Sequence, residues 1–579
     1  MESEVASPLG LCVLPEPAPN CARTVSYPQA MRAELAHLGI PYTEADHAGL
    51  SKLLGSISVL LTVGDAPIAA ASEELPHWVA SGGVWVSIGG VCGLPEMFGV
   101  EVERPAFGSW GGGVGTLGEG YLAPAGEHVL TGHLRIPLHF FNGIPVRPRE
   151  GARVLATALD AHQHGSSGRA ALVEAVHGGG RCLLIAPDLT GAVVRIRQGI
   201  AVTRDGVPAP DGTAPICDEV LKSGDGGVLD WVFDRVPVPD APGLRAFLEP
   251  IADQWAELIA RAVLWGASHA GARLPLLWLY PRERPAMAVL SHDSDGNDPA
   301  KADVMLRVLS ETGVRSTWCL MTPGYPGSVI SALRDAGHEL AMHYDAVSDG
   351  TAFSPQDFAR QHRGVCELIG GRPVTNKNHY LRWEGDTEFH QWCSEHGVRV
   401  DQSKGASKTG EAGFNFGTCH LHRPLQRDGR VVDVFEMPTP TQDLVVFAPP
   451  ALGKALTESV RRAHGILHLL FHPAHIETAG VADAMRAAIS GAREAGMEWW
   501  TSSEAAAWEE ARLACEWDDY RAEPDGVRVT LRCPTGIADA TVLWSDPEGP
   551  VARWGFKFVS ERVTVGAGEA RRLSTKAMR

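Results

Sequence analysis

The stretch Ala288-Val-Leu-Ser-His-Asp-Ser-Asp-Gly296 joins an apolar run to His292, Asp293 and Asp295, three side chains that can hold a cation or move a proton. Later apolar runs end in Gly337-His-Glu-Leu-Ala-Met-His-Tyr-Asp345, Asn376-Lys-Asn-His-Tyr-Leu-Arg-Trp383, Val400-Asp-Gln-Ser403, Val434-Phe-Glu-Met-Pro438 and Leu469-Leu-Phe-His-Pro473. A hydrolytic metal centre needs a few carboxylate or imidazole ligands, an open position, and groups that take and return protons. Six segment ends rich in Asp, His, Glu and Arg supply those types, so a metal-dependent hydrolase is the first expectation.

Positioning them requires repeated strand–helix units. Ala288 to Ser291 reads as strand, Pro299 to Glu311 as helix, Ser316 to Leu320 as strand, Ser328 to Ala336 as helix, and Glu339 to Met342 as strand. Such repetition predicts a closed or nearly closed β/α barrel over residues 271–515, with its chemistry on the loops after the strands. Before it, residues 1–270 alternate helix and buried strand, with Ile57 to Val63, Val84 to Ile88 and Cys182 to Ala186 as strands and Ala170 to Val176 as helix. This predicts a doubly wound parallel α/β domain, joined to the barrel by a helical stretch from Leu244 to Leu264. After it, residues 516–579 alternate as a small antiparallel β unit, in which Trp544 and Trp554 are expected to pack.

The six segments together resemble the polysaccharide deacetylase family with the NodB-homology fold, in a divergent branch whose first motif reads H-D-x-D. The resemblance covers roughly residues 285 to 500. It implies Asp293 as catalytic base, Asp295 and His343 as ligands of one divalent metal ion, Zn in the first place, and His472 as general acid. The common family pattern takes both histidines from one H-x-x-x-H segment, but Val347 stands four residues beyond His343. The second histidine is therefore assigned to His379, in the N-H-Y-L-R-like segment that the same branch carries. Arg382 is expected to orient Asp293, and Asp401 to orient a histidine such as His472. Tyr380, Trp383, Glu436, His420, His422 and His475 are candidates for substrate contact. Asp298 is the expected cap of the first helix, which leaves Asp295 free to ligate. His338 is expected to be structural, and Asp443 a loop residue.

Residues 20 to 200 loosely resemble class I glutamine-amidotransferase-like domains, chiefly through Trp78-Val-Ala-Ser-Gly-Gly-Val-Trp-Val-Ser-Ile-Gly-Gly90. The catalytic members place a cysteine in G-x-C-x-G, whereas Gly90-Val-Cys-Gly-Leu94 ends in leucine, so Cys92 is expected to be a packed core residue and the domain non-catalytic. His162 and His164, without a third ligand, read as a solvated loop.

Composition narrows the partners. With 51 basic and 69 acidic residues the net charge is −18, which repels phosphate and argues against a nucleic-acid or anionic-membrane surface, and the excess acid equally serves solubility. Eleven cysteines without a paired spacing read mostly as reduced core residues. No apolar run reaches a membrane span, and the first residues lack a basic and apolar leader pattern, so the expected location is cytoplasmic. The oligomeric state stays open. The leading expectation is thus removal of an N-linked acyl group from a carbohydrate. Its rivals are a glycoside hydrolase using Asp293 and Glu436, and a catalytically inactive carbohydrate-binding protein.

Overall fold

The computed structural model describes residues 7–15, 27–68, 71–103, 117–163, 165–206, 219–407, 409–523 and 526–576; His164 lies outside them. The chain forms two compact units, each assembled from separated stretches. Met1–Val193, Gln254–Glu283 and Glu510–Arg579 make one, and Val194–Asp253 and Arg284–Glu509 make the other. These units differ from the three consecutive segments expected from sequence, because strands far apart in the chain pair with each other. Pro275–Leu277, for example, is antiparallel to Ile537–Ser545 in the tail.

The first unit centres on a nine-stranded mixed sheet. Thr43–Glu44, Leu9–Val13, Val59–Val63, Val84–Ile88 and Gly180–Ile185 run parallel. Ser166–His177, Arg153–Asp160, Gly120–Pro124 and Leu138–Phe140 then continue it antiparallel. The expected helix from Ala170 to Val176 is therefore strand. Its Ala, Leu and Glu content favours helix in isolation. However, His177 pairs with Gly180 across Gly178-Gly179, and a two-glycine loop is a hairpin turn because both positions accept positive φ. Gly178 has φ +56. Buried Glu174 is flanked by Arg153 and Arg181 from the two neighbouring strands. Tertiary pairing overrides local propensity here.

Cys92 is buried in this unit at φ +55, its thiol pushed up to about 12 by burial. Asp65 Oδ1 accepts from the backbone N–H groups of Val91 and Cys92. Trp544 and Trp554 are buried too, the latter with its ring 5.4 Å from that of Trp278.

The second unit contains an all-parallel sheet in the order Phe435–Glu436, Val400–Asp401, Thr375–Asn378, Glu339–Tyr344, Thr317–Leu320, Met287–Asp293, Ile466–Leu470. Glu498–Trp500 pairs with the first half of Met287–Asp293, and Thr317–Leu320 with its second half. The expected strand–helix alternation is present, with helices Pro299–Thr312, Gly327–Asp335, Pro355–Ile369, Glu388–Glu395, Pro450–Ala463 and Val481–Glu494. Among the described residues no pairing joins Phe435–Glu436 to Ile466–Leu470, so the ladder is open where a closed barrel would be continuous. Its core packs Ala288, Leu290, Met305, Trp318, Leu467, Leu469 and Met485. No helix among the described residues is long and apolar enough to cross a membrane.

Gly405, just past the Val400–Asp401 strand, shows how tightly the strand ends are threaded. Its φ is +156, and an added Cβ would lie 2.1 Å from the Thr439 carbonyl oxygen. Backbone cannot yield as a side-chain tip can. Gly405→Ala is expected to destabilise the protein by about 1–3 kcal/mol, measured as a lowered urea midpoint at unchanged slope.

Candidate metal centre and its surroundings

All seven residues of Met287–Asp293 are buried, so its polar end must be satisfied from within the protein. His292 does this structurally: Nδ1 meets the Phe471 carbonyl at 2.7 Å and Nε2 meets Ser316 Oγ at 3.1 Å. Burial pushes it down to about 3, which keeps it neutral. Asp298 caps the helix Pro299–Thr312 by accepting from Ala300 N, and Asp295 stands free in the turn between. His338 Nδ1 accepts from Ser316 N, a structural contact.

Three strand ends converge on Asp295. Its Oδ1 lies 3.2 Å from His343 Nε2 and 3.8 Å from His379 Nε2. One ligand atom from each of the three residues falls within 4.8 Å of the others. Asp295 Oδ1 and His343 Nε2 are buried and face each other without a hydrogen-bond partner. Orphaned buried acceptors cost free energy unless something occupies the space between them, and a carboxylate with two imidazoles is a donor set that divalent metals take. The residues present therefore fit a metal ion.

The tautomers agree with this. Carbonyl and carboxylate oxygens only accept, so His343 Nδ1 must donate to the Lys377 carbonyl at 2.9 Å and His379 Nδ1 to Asp345 Oδ1 at 3.0 Å. Both Nε2 lone pairs are left for a cation. Asp345 is anchored in turn by the N–H groups of Val347 and Ser348. His379 opens a short turn in which Tyr380 and Leu381 adopt φ +57 and +52. Non-glycine residues hold that conformation only under external restraint, supplied here by Ser403 Oγ accepting from Asn378 N and by Asn378 Nδ2 donating to the Arg382 carbonyl.

Asp293 lies beside this set, its Oδ2 4.0 Å from His343 Nε2 and 3.7 Å from His472 Nε2. Burial would push its carboxyl up, but Lys377, His343 and His472 overcome that and hold it below the ordinary value. Burial also acts upward on Asp295, which the proximity of His343, His472 and His379 more than offsets. His472 Nε2 is 3.7 Å from Asp295 Oδ2. Burial pushes His472 down, yet Asp443, bonded to its Nδ1, and the two aspartates raise it to about 9.

Several expected contacts are made by other residues. Lys377 Nζ approaches Asp293 Oδ1 at 3.5 Å, where Arg382 was expected; Arg382 pairs with Glu384 instead. Asp443, read as loop, bonds His472 at both N and Nδ1, where Asp401 was expected. Lys377, Asp345 and Asp443 were the residues missed. A lysine inside a buried strand segment is rare enough to be a signal, and Asp345 shares a strand end with His343. Asp443 meets His472 only through the fold.

The candidates for substrate contact divide. Tyr380 is 56% exposed with its ring 4.7 Å from that of His379, and His475 stands 5.8 Å from His472. Trp383, His420 and His422 are buried; His420 Nε2 meets the Ala463 carbonyl at 2.9 Å.

Glu436 and Asp401 are neighbours in adjacent strands and fully buried. His390 Nε2 meets Glu436 Oε2 at 2.9 Å, and Asn376 and Ser403 donate to Asp401. Burial, then the Glu436 charge, pushes Asp401 up to about 7, and burial raises Glu436 likewise. In the unfolded chain such carboxyls ionise near ~4. Between these values the folded state binds more protons, so this stabilisation is full below about 4 and lost as pH rises through about 7. His390, lowered to about 4 by burial, acts in the opposite sense, so the comparison must be with a variant. Asp401→Asn cannot ionise, and its urea midpoint is expected to gain on the wild type as pH rises from ~5 to ~8.

No family model matches the chain, and no curated protein matches it. Solved structures do. One, assigned as a polysaccharide deacetylase from Mycobacterium smegmatis, is 18% identical and covers 41% of this chain and 94% of its own, with TM-score 0.32. Puue Allantoinase is 12% identical over 39% of this chain and 91% of its own, with TM-score 0.31. A family 4 acetyl xylan esterase from Clostridium thermocellum, in complex with a cobalt ion, is 14% identical over 38% and 89%, with TM-score 0.24. At such scores these likenesses decide nothing about the reaction, which has to be read from the side chains of the site.

Proposed function

We propose that the second unit is a metal-dependent hydrolase that removes an N-linked acetyl or similar acyl group from a carbohydrate. The observation that carries this reading is the convergence of Asp295 Oδ1, His343 Nε2 and His379 Nε2, with Asp293 and His472 beside them. The carbohydrate comes from the motif resemblance alone.

A divalent cation on Asp295, His343 and His379 would supply Lewis-acid polarisation of the acyl carbonyl and a more acidic water. The cation and a proton compete for His343 Nε2, so loading releases protons. Asp293, held ionised, receives the proton of the attacking water. His472, held protonated by Asp443, returns a proton to the departing nitrogen. Lys377 keeps the charge on Asp293, and Asp345 keeps the Nε2 lone pair of His379 turned inward. Tyr380, exposed beside His379, is the side chain available to stack on a sugar face.

The two-carboxylate glycosidase reading lacks its partner, because Glu436 is committed to His390 and to Lys404 N.

Purified protein is expected to hold about one divalent ion per chain, lost in Asp295→Ala and His343→Ala. Asp345→Asn is expected to weaken metal affinity by about 10–100-fold with the circular-dichroism spectrum unchanged. Acetate release from N-acetylated chitooligosaccharide should stop with chelator and return with metal. Reducing ends released despite chelator would instead indicate a glycosidase. Binding of the oligosaccharide without metal or acetate would leave only the inactive reading.

A further inference from the structure

The tail of the first unit brings two cysteines together that no sequence spacing pairs. Glu516–Glu523 and Gly526–Cys533 are antiparallel, with Glu516 opposite Arg532 and Trp517 opposite Leu531. Continuing that register by one residue sets Cys515 opposite Cys533. Their Sγ atoms are 2.6 Å apart, well inside the separation of two non-bonded sulfurs. Directly opposed residues in an antiparallel pair have Cα atoms about 4.5–5.5 Å apart, within the range of roughly 4.4–6.8 Å that a disulfide spans. The two sulfurs are thus already within reach of each other.

We propose that Cys515 and Cys533 form a reversible redox modification site, converted by a small-molecule disulfide into an intramolecular cross-strand disulfide. Cys515 is half-buried and Cys533 buried, so the entering disulfide meets Cys515 first. In the first step the Cys515 sulfur, having lost its proton, attacks one sulfur of oxidised glutathione; the glutathione S–S bond breaks, a mixed disulfide forms, and one glutathione leaves as thiolate. In the second step the Cys533 sulfur, also deprotonated, attacks the Cys515 sulfur and expels the other glutathione. The two protein thiols lose two electrons and two protons, and one glutathione disulfide becomes two glutathione thiols.

The bond has a mechanical consequence. Cys533 is held on its other side by pairing with Glu569, whereas Glu516–Glu523 is an edge strand with a register shift between Asp518 and Arg521. Cys515 Sγ also contacts the Ala511 carbonyl in the helix Ser502–Leu513. Oxidation fastens the start of a weakly paired edge strand to the centre of its sheet, and reduction releases it.

The test uses the full chain incubated with oxidised glutathione. Thiol titration in denaturant should find eleven thiols before and two fewer after, with the intact mass lower by two hydrogen atoms. Digestion should yield one peptide pair joined through Cys515 and Cys533, and dithiothreitol should restore every thiol. The oxidised melting midpoint should shift upward, reversibly. Cys533→Ser should stop at a glutathione adduct on Cys515. An unchanged thiol count, joined peptides lacking either cysteine, or loss of two hydrogen atoms in Cys533→Ser would overturn the proposal. None of these readouts depends on metal or acyl hydrolysis.

Discussion

The Met287–Asp293 strand is hydrogen-bonded along both edges and buried at every residue, and the candidate centre depends on that constraint. A strand so enclosed has no freedom to slip, since a shift of one residue would turn its apolar side chains to the wrong face. It delivers Asp293 at a fixed depth and Asp295 two residues on, in a turn clasped by Ser294 Oγ to Asn297 and to Met321 N. Glu339–Tyr344 and Thr375–Asn378 run parallel to it further along the same sheet, so His343 and His379 end at the same side. Parallel pairing is what brings chain positions 295, 343 and 379 within reach of one another.

Burying that much charge is costly unless it is paired. Lys377 and the histidines hold Asp293 ionised, Asp443 holds a proton on His472, and Asp345 fixes His379. The Asp401–Glu436–His390 cluster takes the other course: burial keeps its carboxyls protonated to higher pH. Two groups of buried acidic residues on one sheet thus behave oppositely: at Asp293 the neighbouring charges outweigh burial, and at Asp401 and Glu436 burial outweighs the charges of His390 and Lys404.

Legibility followed how local each determinant was. The strand before Asp293, the cap at Asp298 and the placing of a carboxylate at 295 and imidazoles at 343 and 379 near strand ends were readable because apolar runs, Asp-Pro and histidines at strand ends are signals within a few residues. The helix read at Ala170–Val176 failed because local composition favoured helix, while strands on both sides and a Gly178-Gly179 hairpin demanded extension. The orienting partners went astray for a related reason. Arg382 and Asp401 were the right residue types near the right segments, but Lys377 and Asp443 occupy the contacts, and which side chain faces inward depends on register and burial rather than on proximity in sequence.

By itself the sequence determined the strand–helix alternation of the second unit, the order of the polar strand ends and the set of residue types gathered there, since all three follow from short-range patterning. The tertiary structure alone decided that the first unit's sheet continues antiparallel, that the tail and residues 275–277 share a sheet, and that Glu436 is buried against His390. It also decided which ring nitrogen of His343 and of His379 is held by a neighbouring oxygen and which cysteines meet. These depend on contacts between residues tens to hundreds of positions apart, whose energies are set by packing and burial and leave no periodic trace in the chain.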